Sequence, residues 1–349
     1  MRRISSFLST ILIALALALA VPSGILPAAA DGPIKAALQA GADRLVTLQN
    51  ADGGWFWTVG DLDCGLGVGV SCPNTFGVTA LGLVNAYRVT HDPDHLAAAK
   101  AAGDALVATH GAGPICDANP GTFADRPFTV DTYFLMAELA KVTHGSTSHT
   151  YRNVARDWFA CVIADFPDAA DRADNRINGR IGQGLNNLGA WDAGLDIRAA
   201  IALHERSYAL AEALQVIARQ ADWDVADPDC PGCETLAKGL LLAAMKPLRG
   251  NSAVRAALAD WQGDILALQM PDGSWNADTQ ITSYVLMGLD ETSQSKAVRK
   301  AIKNGTEFLL SMGLGNGGFG LGVGFETDEN TEVDSEVLQA LFAVRDSSH

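Results

Sequence analysis

The chain has 349 residues, of which 48% are hydrophobic, and its formal net charge at neutral pH is −15. That apolar fraction excludes an intrinsically disordered chain, a collagen-like repeat and a small disulfide scaffold, because a core of ordinary size can form. The acidic balance, which no cluster of lysine or arginine offsets, excludes nucleic acid as a principal partner.

The first thirty residues predict a secretory signal peptide. Two arginines open the segment, residues 11–21 form an uninterrupted apolar run, and Ala28–Ala30 fits a cleavage site. The run is too short for a membrane span, and no later segment reaches eighteen consecutive apolar residues. We therefore expect a secreted or periplasmic chain that has no stable membrane span and folds as one domain over residues 31–349.

Six cysteines fit the oxidising compartment that a signal peptide implies. Six cysteines allow fifteen pairings; we favour Cys64 with Cys72 inside one loop, and Cys116 with Cys161. Cys230-Pro-Gly-Cys233 resembles a redox or zinc C-x-x-C motif, but no βαβ pattern or second ligand pair accompanies it. That motif therefore indicates a local structural bridge.

Long segments with helical periodicity dominate the sequence, and almost nothing shows the alternation of a strand. They form six pairs, in which the first member is amphipathic and the second is apolar nearly all round, as in a helix buried on both sides. The first members span about 33–49, 94–109, 148–165, 206–220, 253–269 and 295–312, and the second members about 75–89, 128–143, 193–203, 234–245, 279–289 and 331–344. No pair buries its apolar surface alone. The pattern therefore predicts an all-α (α/α)6 toroid of six outer and six inner helices.

The predicted connections are strongly asymmetric. The loops from outer to inner helices are long, at about 51–74, 111–127, 167–192, 221–233, 270–278 and 313–330, whereas the return turns are short. All the long loops lie on the face where the inner helices begin. Long loops on a rigid scaffold commonly carry binding and catalytic residues, so we expect the functional site on this face.

Two segments share one spacing of glutamine, aspartate, glycine and tryptophan. They are Gln49–Trp55 and Gln269–Trp275, and Gly315–Gly320 is a degenerate third copy. The glycines allow a left-handed turn that ends a helix, while glutamine and tryptophan can tie outer helices together by hydrogen bonds. These segments resemble the Q-W repeats of squalene–hopene cyclases and related terpenoid cyclases. The resemblance implies an α/α toroid of the terpenoid cyclase and prenyltransferase type.

The sequence departs from that family at its chemical motifs. It has no D-x-D-D motif, from which class II cyclases of the family protonate their substrate, and no D-D-x-x-D motif for a diphosphate. The sequence also lacks a histidine that matches the zinc site of prenyltransferase β-subunits. The resemblance therefore implies the fold more strongly than the activity.

Acidic residues recur where the predicted inner helices begin. Aligning these starts puts Asp131, Asp196 and Asp334 at one repeat position, which in a closed toroid forms one layer. We predict these three aspartates as catalytic acid and base groups, because converging carboxylates shift each other's pKa. The alternative is that each acid caps its own helix, which its place in a first turn also favours.

Five further side chains are predicted to bind the substrate: Trp57, Glu138, Arg180, Trp191 and Glu234. Glu138 follows Asp131 by seven residues and continues the same helical stripe, and Glu234 lies near the shared repeat position in the fifth pair. The two tryptophans offer platforms for a sugar ring or an apolar ligand. Arg180 belongs to a polar stretch over 169–187 that indicates a solvated loop, with pairing to the acids or contact with an anionic substrate as alternatives.

Three classes of function fit these features. They are a carbohydrate-active hydrolase or lyase on an extracellular polysaccharide, a terpenoid cyclase-like enzyme on an isoprenoid, and a non-catalytic toroid that binds a ligand or protein. We favour the first class, since paired carboxylates suit glycan cleavage. The expected partner is a small-molecule or polysaccharide ligand. No cofactor or metal is predicted, and calcium in the acid ring is left open.

Overall fold

The computed structural model describes residues 31–110, 130–292 and 294–346. In chain order the helices are α1 (Asp31–Leu48), α2 (Thr75–Thr90), α3 (Pro93–His110), α4 (Val130–Val142), α5 (Gly145–Asp165), α6 (Ala169–Ile181), α7 (Asn186–Ala202), α8 (Arg206–Ala218), α9 (Gln220–Trp223), α10 (Cys233–Met245), α11 (Ser252–Leu268), α12 (Thr279–Asp290), α13 (Lys296–Ser311) and α14 (Thr331–Val344). Within the described ranges, β-structure is limited to isolated bridges. The predicted signal peptide and Cys116 lie outside these ranges.

The helices form two concentric rings, which confirms the predicted toroid. The inner ring consists of α2, α4, α7, α10, α12 and α14, each packed against the next, and α14 packs back on α2 to close it. The outer ring consists of α1, α3, α5, α8, α11 and α13. Inner helices are apolar on nearly every side because they contact two inner neighbours and the outer layer at once. No helix among the described residues is both long and apolar enough to cross a membrane.

The glutamines of the two repeated segments tie neighbouring outer helices together, as predicted. Gln49 Nε2 donates to the carbonyl oxygens of Gly53 and Ala98, and both distances are 2.9 Å. Ala98 belongs to α3, so the turn at the end of α1 is fastened to the next outer helix. Gln269 Nε2 repeats the arrangement with Gly273 and with a carbonyl of α13.

The tryptophans of these segments point back into the core. Trp55 Nε1 donates to the Leu45 carbonyl at 2.8 Å, and Trp275 Nε1 donates to the Ile265 carbonyl at 2.7 Å. Both indole side chains are fully buried. Each buried indole N–H thus finds an acceptor in the last turns of the preceding outer helix, which fixes how the chain leaves that helix.

The third copy keeps the backbone of the turn without the glutamine and tryptophan. Leu314 N–H donates to the Gly318 carbonyl at 2.8 Å, matching the bonds that Asn50 and Met270 make in the other copies. Gly317 has φ +99°, and a Cβ there would lie 2.5 Å from a backbone oxygen of α1. The glycine is needed because the turn is left-handed and presses on an outer helix.

Two of the predicted disulfides are present. Cys64 is bonded to Cys72 and Cys230 to Cys233. Cys161 is also disulfide-bonded, whereas Cys116, its predicted partner, is outside the described residues. The long-loop face is therefore fastened at two separate loops.

The prediction of a solvated loop over 169–187 is wrong. Residues Ala169–Ile181 form α6, which begins with the Asp168 side chain accepting from Ala170 N–H at 2.9 Å, and α7 begins at Asn186 rather than near 193. Arginines at 172, 176 and 180 recur every four residues on a face that also carries buried alanine and isoleucine. That spacing is helical, and the polar composition concealed it.

The turn geometry predicts the effect of Gly273→Ala. Gly273 has φ +94°, and a Cβ there would lie 2.3 Å from the Asn304 carbonyl oxygen. We expect the variant to lose more than about 1–2 kcal/mol of unfolding free energy, because a left-handed L residue and a clash are combined. Urea unfolding measures the loss. Gly250→Ala is the matched control, since nothing lies within 4 Å of its Cβ; equal stability of both variants would contradict this account.

Candidate functional site

A cavity of about 420 Å³ lies on the axis of the toroid, and all six inner helices contribute to its wall. Most of its lining residues lie in the last turns of those helices or directly after them, for example Arg88 of α2, Glu138 of α4 and Arg198 of α7. The cavity therefore opens at the end where the inner helices finish. The expected site lay at the opposite end, among the long loops.

Charged and amide side chains dominate the cavity wall. Seven of its fourteen lining residues are charged, namely Arg88, Glu138, Arg198, Asp290, Glu291, Arg345 and Asp346, and Asn85 and Gln339 add two amides. Cavities of this size accommodate small ligands, and polar groups in the wall fix the orientation of the ligand. The wall is therefore suited to a ligand with many hydrogen-bonding groups.

Glu138, one of the predicted substrate-binding residues, lies in this wall. Its Oε2 is 2.5 Å from Arg88 Nη2, and its Oε1 is 2.5 Å from Lys141 Nζ. Burial raises the pKa of Glu138, but the attraction of Lys141 and Arg88 outweighs it, so the pKa lies below the usual value. The carboxylate is therefore ionised at neutral pH.

Aromatic rings support the arginines of the cavity. The Arg198 guanidinium lies 3.9 Å from the centre of the Phe134 ring, and that of Arg345 lies 4.0 Å from the centre of Phe342. A guanidinium over a ring face gains a cation–π attraction and loses rotational freedom. Both cations are thus held in place within the cavity wall.

Asp196, predicted to be catalytic, is buried against α6 rather than directed at the axis. Arg172 Nη2 donates to its Oδ1 at 2.7 Å, and Arg176 Nε donates to its Oδ2 at 2.8 Å. Burial alone would raise the pKa of Asp196, but these two arginines hold it below the usual value. Arg180 makes a similar pair with Asp192, at 2.7 Å. The structure thus places the predicted Arg180 in an ion pair that fastens α6 to α7.

Glu212 of α8 faces the same buried cluster. Its Oε1 is 3.7 Å from Arg172 Nε, and neither carboxyl oxygen has a hydrogen-bond partner among the described residues. Burial, together with repulsion from Asp196, raises the pKa of Glu212 well above its usual value. The protonated form of this side chain is therefore favoured in the folded protein.

Asp334, also predicted to be catalytic, binds the turn formed by the third copy of the repeated segment, Gly315–Gly320. Its Oδ1 accepts the Phe319 N–H at 2.7 Å, in the way that the Thr282 hydroxyl accepts the Trp275 N–H in the preceding repeat. The side chain is fully buried, and burial with repulsion from Glu329 raises its pKa well above the usual value. Asp334 and Asp196 thus contact different segments and do not converge on the axis.

The remaining predicted residues are spread over the long-loop end. The Asp131 side chain lies outside the described residues, although position 131 precedes Glu138 by seven residues within α4. Trp57 is 40% exposed in the loop before α2. Glu234 lies in the first turn of α10, where its Oε2 is buried and has no hydrogen-bond partner among the described residues.

Trp191 belongs to a buried cluster that also contains a carboxylate the sequence analysis missed. Its ring meets Tyr284 edge to face, with 6.1 Å between the ring centres, and the Tyr284 hydroxyl donates to Glu336 at 2.7 Å. Glu336 is completely buried in α14, three residues before the cavity-lining Gln339. A glutamate inside an inner helix, beyond the acids of the first turn, was the signal available in the sequence.

One group of possible metal ligands occurs among the described residues. Asp43, Asp92 and His95 offer atoms that lie within 4.8 Å of one another at the outer helices α1 and α3. His95 Nε2 is 2.9 Å from Asp43 Oδ1, and Gln39 Nε2 donates to both aspartates. These side chains satisfy one another by hydrogen bonds, and they lie on the outer ring rather than on the axis.

Comparison with known proteins identifies the fold. No protein-family model matches the sequence, and no curated protein matches it. An unsaturated glucuronyl hydrolase specific for heparin superposes with a TM-score of 0.57 and 11% identity, over 90% of this chain and 97% of that one. A type II terpene cyclase from Scytonema gives 0.57 and 13%, over 92% and 100%. A possible GH105 family member from Salmonella enterica gives 0.58 and 12%, over 97% and 100%. At these identities, the likeness shows a shared α/α toroid.

The buried cluster around α6 predicts a pH effect on stability. Because folding raises the pKa of Glu212, its contribution to stability is complete below the unfolded pKa and is lost as pH rises through the folded pKa. Glu212→Gln removes this loss. We expect the variant to match the wild type at pH ~4 and to exceed it at pH ~8 in urea unfolding.

Glu205→Gln, an exposed change beside the same helix, serves as the control and should leave the pH dependence unchanged. A Glu212→Gln variant that is equally destabilised at both pH values would contradict this assignment.

Proposed function

We propose that the chain is a carbohydrate-active enzyme, a hydrolase or lyase, that acts on an extracellular polysaccharide in the axial cavity. The observation that carries the proposal is that four carboxyl groups, from Glu138, Asp290, Glu291 and Asp346, line one cavity together with three arginines and two amides. Sugars present many hydroxyl groups, and such a wall offers them both donors and acceptors.

Two of the four carboxyl groups, Glu138 of α4 and Asp290 of α12, supply the acid and base that glycan cleavage needs. Glu138 is ionised, so it accepts a proton, either from an attacking water in hydrolysis or from a sugar carbon in a lyase reaction. Asp290 acts in its protonated form, donating its own proton to the oxygen of the departing sugar and becoming a carboxylate. The cavity arginines stabilise negative charge that develops on the substrate.

Asp131 is kept as a further catalytic candidate in this proposal. It belongs to the same helix as Glu138, and a separation of seven residues returns to the same side of an α-helix. Asp196 and Asp334 take no part in the proposed reaction, because neither side chain lines the axial cavity.

Export of the chain fits this substrate class. Residues 1–30 have the pattern of a signal peptide, and the disulfides Cys64–Cys72 and Cys230–Cys233 suit an oxidising compartment. Polysaccharides are available outside the cell. A secreted or periplasmic location is therefore part of the proposal.

A cyclase-like activity is the second candidate, since a type II terpene cyclase shares the fold and the Q-W turns resemble those of terpenoid cyclases. Carbocation chemistry is served by aromatic walls, which attract cations through their ring faces. Half of this cavity's lining residues are charged instead. The cavity chemistry therefore favours a glycan over an isoprenoid.

Turnover of polysaccharides tests the proposal. The purified protein is incubated with a panel of neutral and acidic polysaccharides, and new reducing ends and unsaturated uronate absorbance are measured. Glu138→Gln and Asp290→Asn are each expected to lower kcat/KM by roughly 10²-fold or more, because each removes an acid–base group. Asp131→Asn tests the third candidate in the same assay.

Asp260→Asn, an exposed change on α11, is the control and should retain full turnover. Turnover of squalene or a shorter polyprenyl substrate, without polysaccharide cleavage, would establish the cyclase alternative. Tight glycan binding without any product would establish a non-catalytic binding toroid instead.

A further inference from the structure

A second cavity, of about 240 Å³, lies between α4, α5 and the end of α7. The charged residues in its wall are Lys141, Arg152 and Arg156, and His204 adds an imidazole. No carboxylate lines this cavity, although the chain as a whole has 40 acidic residues against 25 basic ones. We call it the basic pocket.

Both arginines of the basic pocket lack partners among the described residues. Arg152 and Arg156 are exposed on α5, and neither makes a hydrogen bond or ion pair with any described side chain. They are four residues apart, so they lie on one face of the helix, where like charges repel each other. An anion bound between them would relieve that repulsion and form charge-assisted hydrogen bonds.

The basic pocket adjoins the axial cavity through α4 and α7. Glu138 lines the axial cavity and Lys141 lines the basic pocket, and their ion pair of 2.5 Å joins the two walls. On α7, Arg198 lines the axial cavity and His204 lines the basic pocket. A linear ligand that extends from the axial cavity past the ends of α4 and α7 would meet the two arginines.

We propose that the basic pocket binds an anionic group of the same glycan whose cleavage site occupies the axial cavity. The group is an oxyanion, either a sulfate ester or a uronic acid carboxylate, and arginine binds both with paired N–H donors. The substrate class is therefore a polyanionic polysaccharide. This inference rests on the proposed function for the axial cavity.

Binding measurements on the full chain test the pocket. Isothermal titration calorimetry is run with a sulfated oligosaccharide of alternating uronic acid and hexosamine. Arg152→Gln combined with Arg156→Gln is expected to weaken binding by roughly tenfold or more, equivalent to the loss of charge-assisted contacts. Arg152→Lys combined with Arg156→Lys keeps the charge and is expected to retain part of the affinity.

Lys296→Gln combined with Lys300→Gln is the matched control. These lysines are also exposed, four residues apart and on an outer helix, but they lie on α13 and line neither cavity. Affinity close to the wild type in this control supports the pocket. An equal loss in both double variants means non-specific attraction and overturns the proposal, as does unchanged binding in the arginine variant.

Chemically altered ligands identify the anion. If the arginine effect disappears with the desulfated oligosaccharide, the pocket binds sulfate, and if it disappears with the carboxyl-reduced one, the pocket binds carboxylate. An arginine effect that persists with a neutral oligosaccharide overturns the proposal.

These experiments distinguish a failure of the basic-pocket proposal from a failure of the proposed enzyme activity. A specific arginine effect on binding supports the pocket even where no polysaccharide is cleaved, in which case the enzyme proposal alone fails. Cleavage of a polyanionic glycan with binding and KM unchanged in the arginine variant overturns the pocket alone.

Discussion

The contact between the first and last inner helices is the constraint on which the rest of the molecule depends. Ser335 Oγ of α14 accepts the Gly82 N–H at 3.0 Å and donates to the Val78 carbonyl at 2.6 Å, both in α2. A Cβ on Gly82 would lie 2.5 Å from Ser335 Oγ, so only glycine allows this approach. The contact joins residues about 250 positions apart and closes the ring. Because all six inner helices line the axial cavity, an open ring would have no cavity.

The buried acids and the cavity arginines of the toroid differ in their surroundings. Asp334 is buried at the long-loop end, where it accepts a turn N–H, and Asp196, in the second half of α7, is buried against Arg172 and Arg176. At the opposite end, the arginines of the axial cavity and the basic pocket face space that a ligand can enter. The basic pocket, whose charged lining residues are all cationic, attracts anions locally even though the net charge of the chain repels them elsewhere.

The toroid was predictable from the sequence, because the pattern of apolar residues in each helix indicates whether the helix is buried on one side or on two. The Q-W turns and the two local disulfides were also predictable, since each depends on residues that are close together in the sequence.

The sequence did not predict correctly whether the acidic side chains converge on the toroid axis. Aligning the repeats predicts the position of a residue along the toroid axis. The direction in which its side chain points depends on small shifts of register, which the alignment does not resolve. Asp196 precedes the cavity-lining Arg198 by two residues, about 200° around the helix, so it faces the outer layer. Glu138 was placed on the axial stripe by helical spacing, and the structure puts it in the cavity wall.

Because the ring is closed, the chain could begin at a different helix pair and still place the same helices next to one another. Only two residues separate α2 from α3, and two separate α4 from α5, at the end of the toroid where α14 finishes and α1 starts. The gap between α14 and α1 is thus a sixth position of the same kind, bridged by packing instead of by covalent bonds. Circular permutants that join α14 to α1 by a short linker and begin at α5 would preserve every neighbour relationship in both rings. The architecture is therefore a cyclic arrangement of six hairpins, in which one covalent connection can be exchanged for another without changing which helices are neighbours.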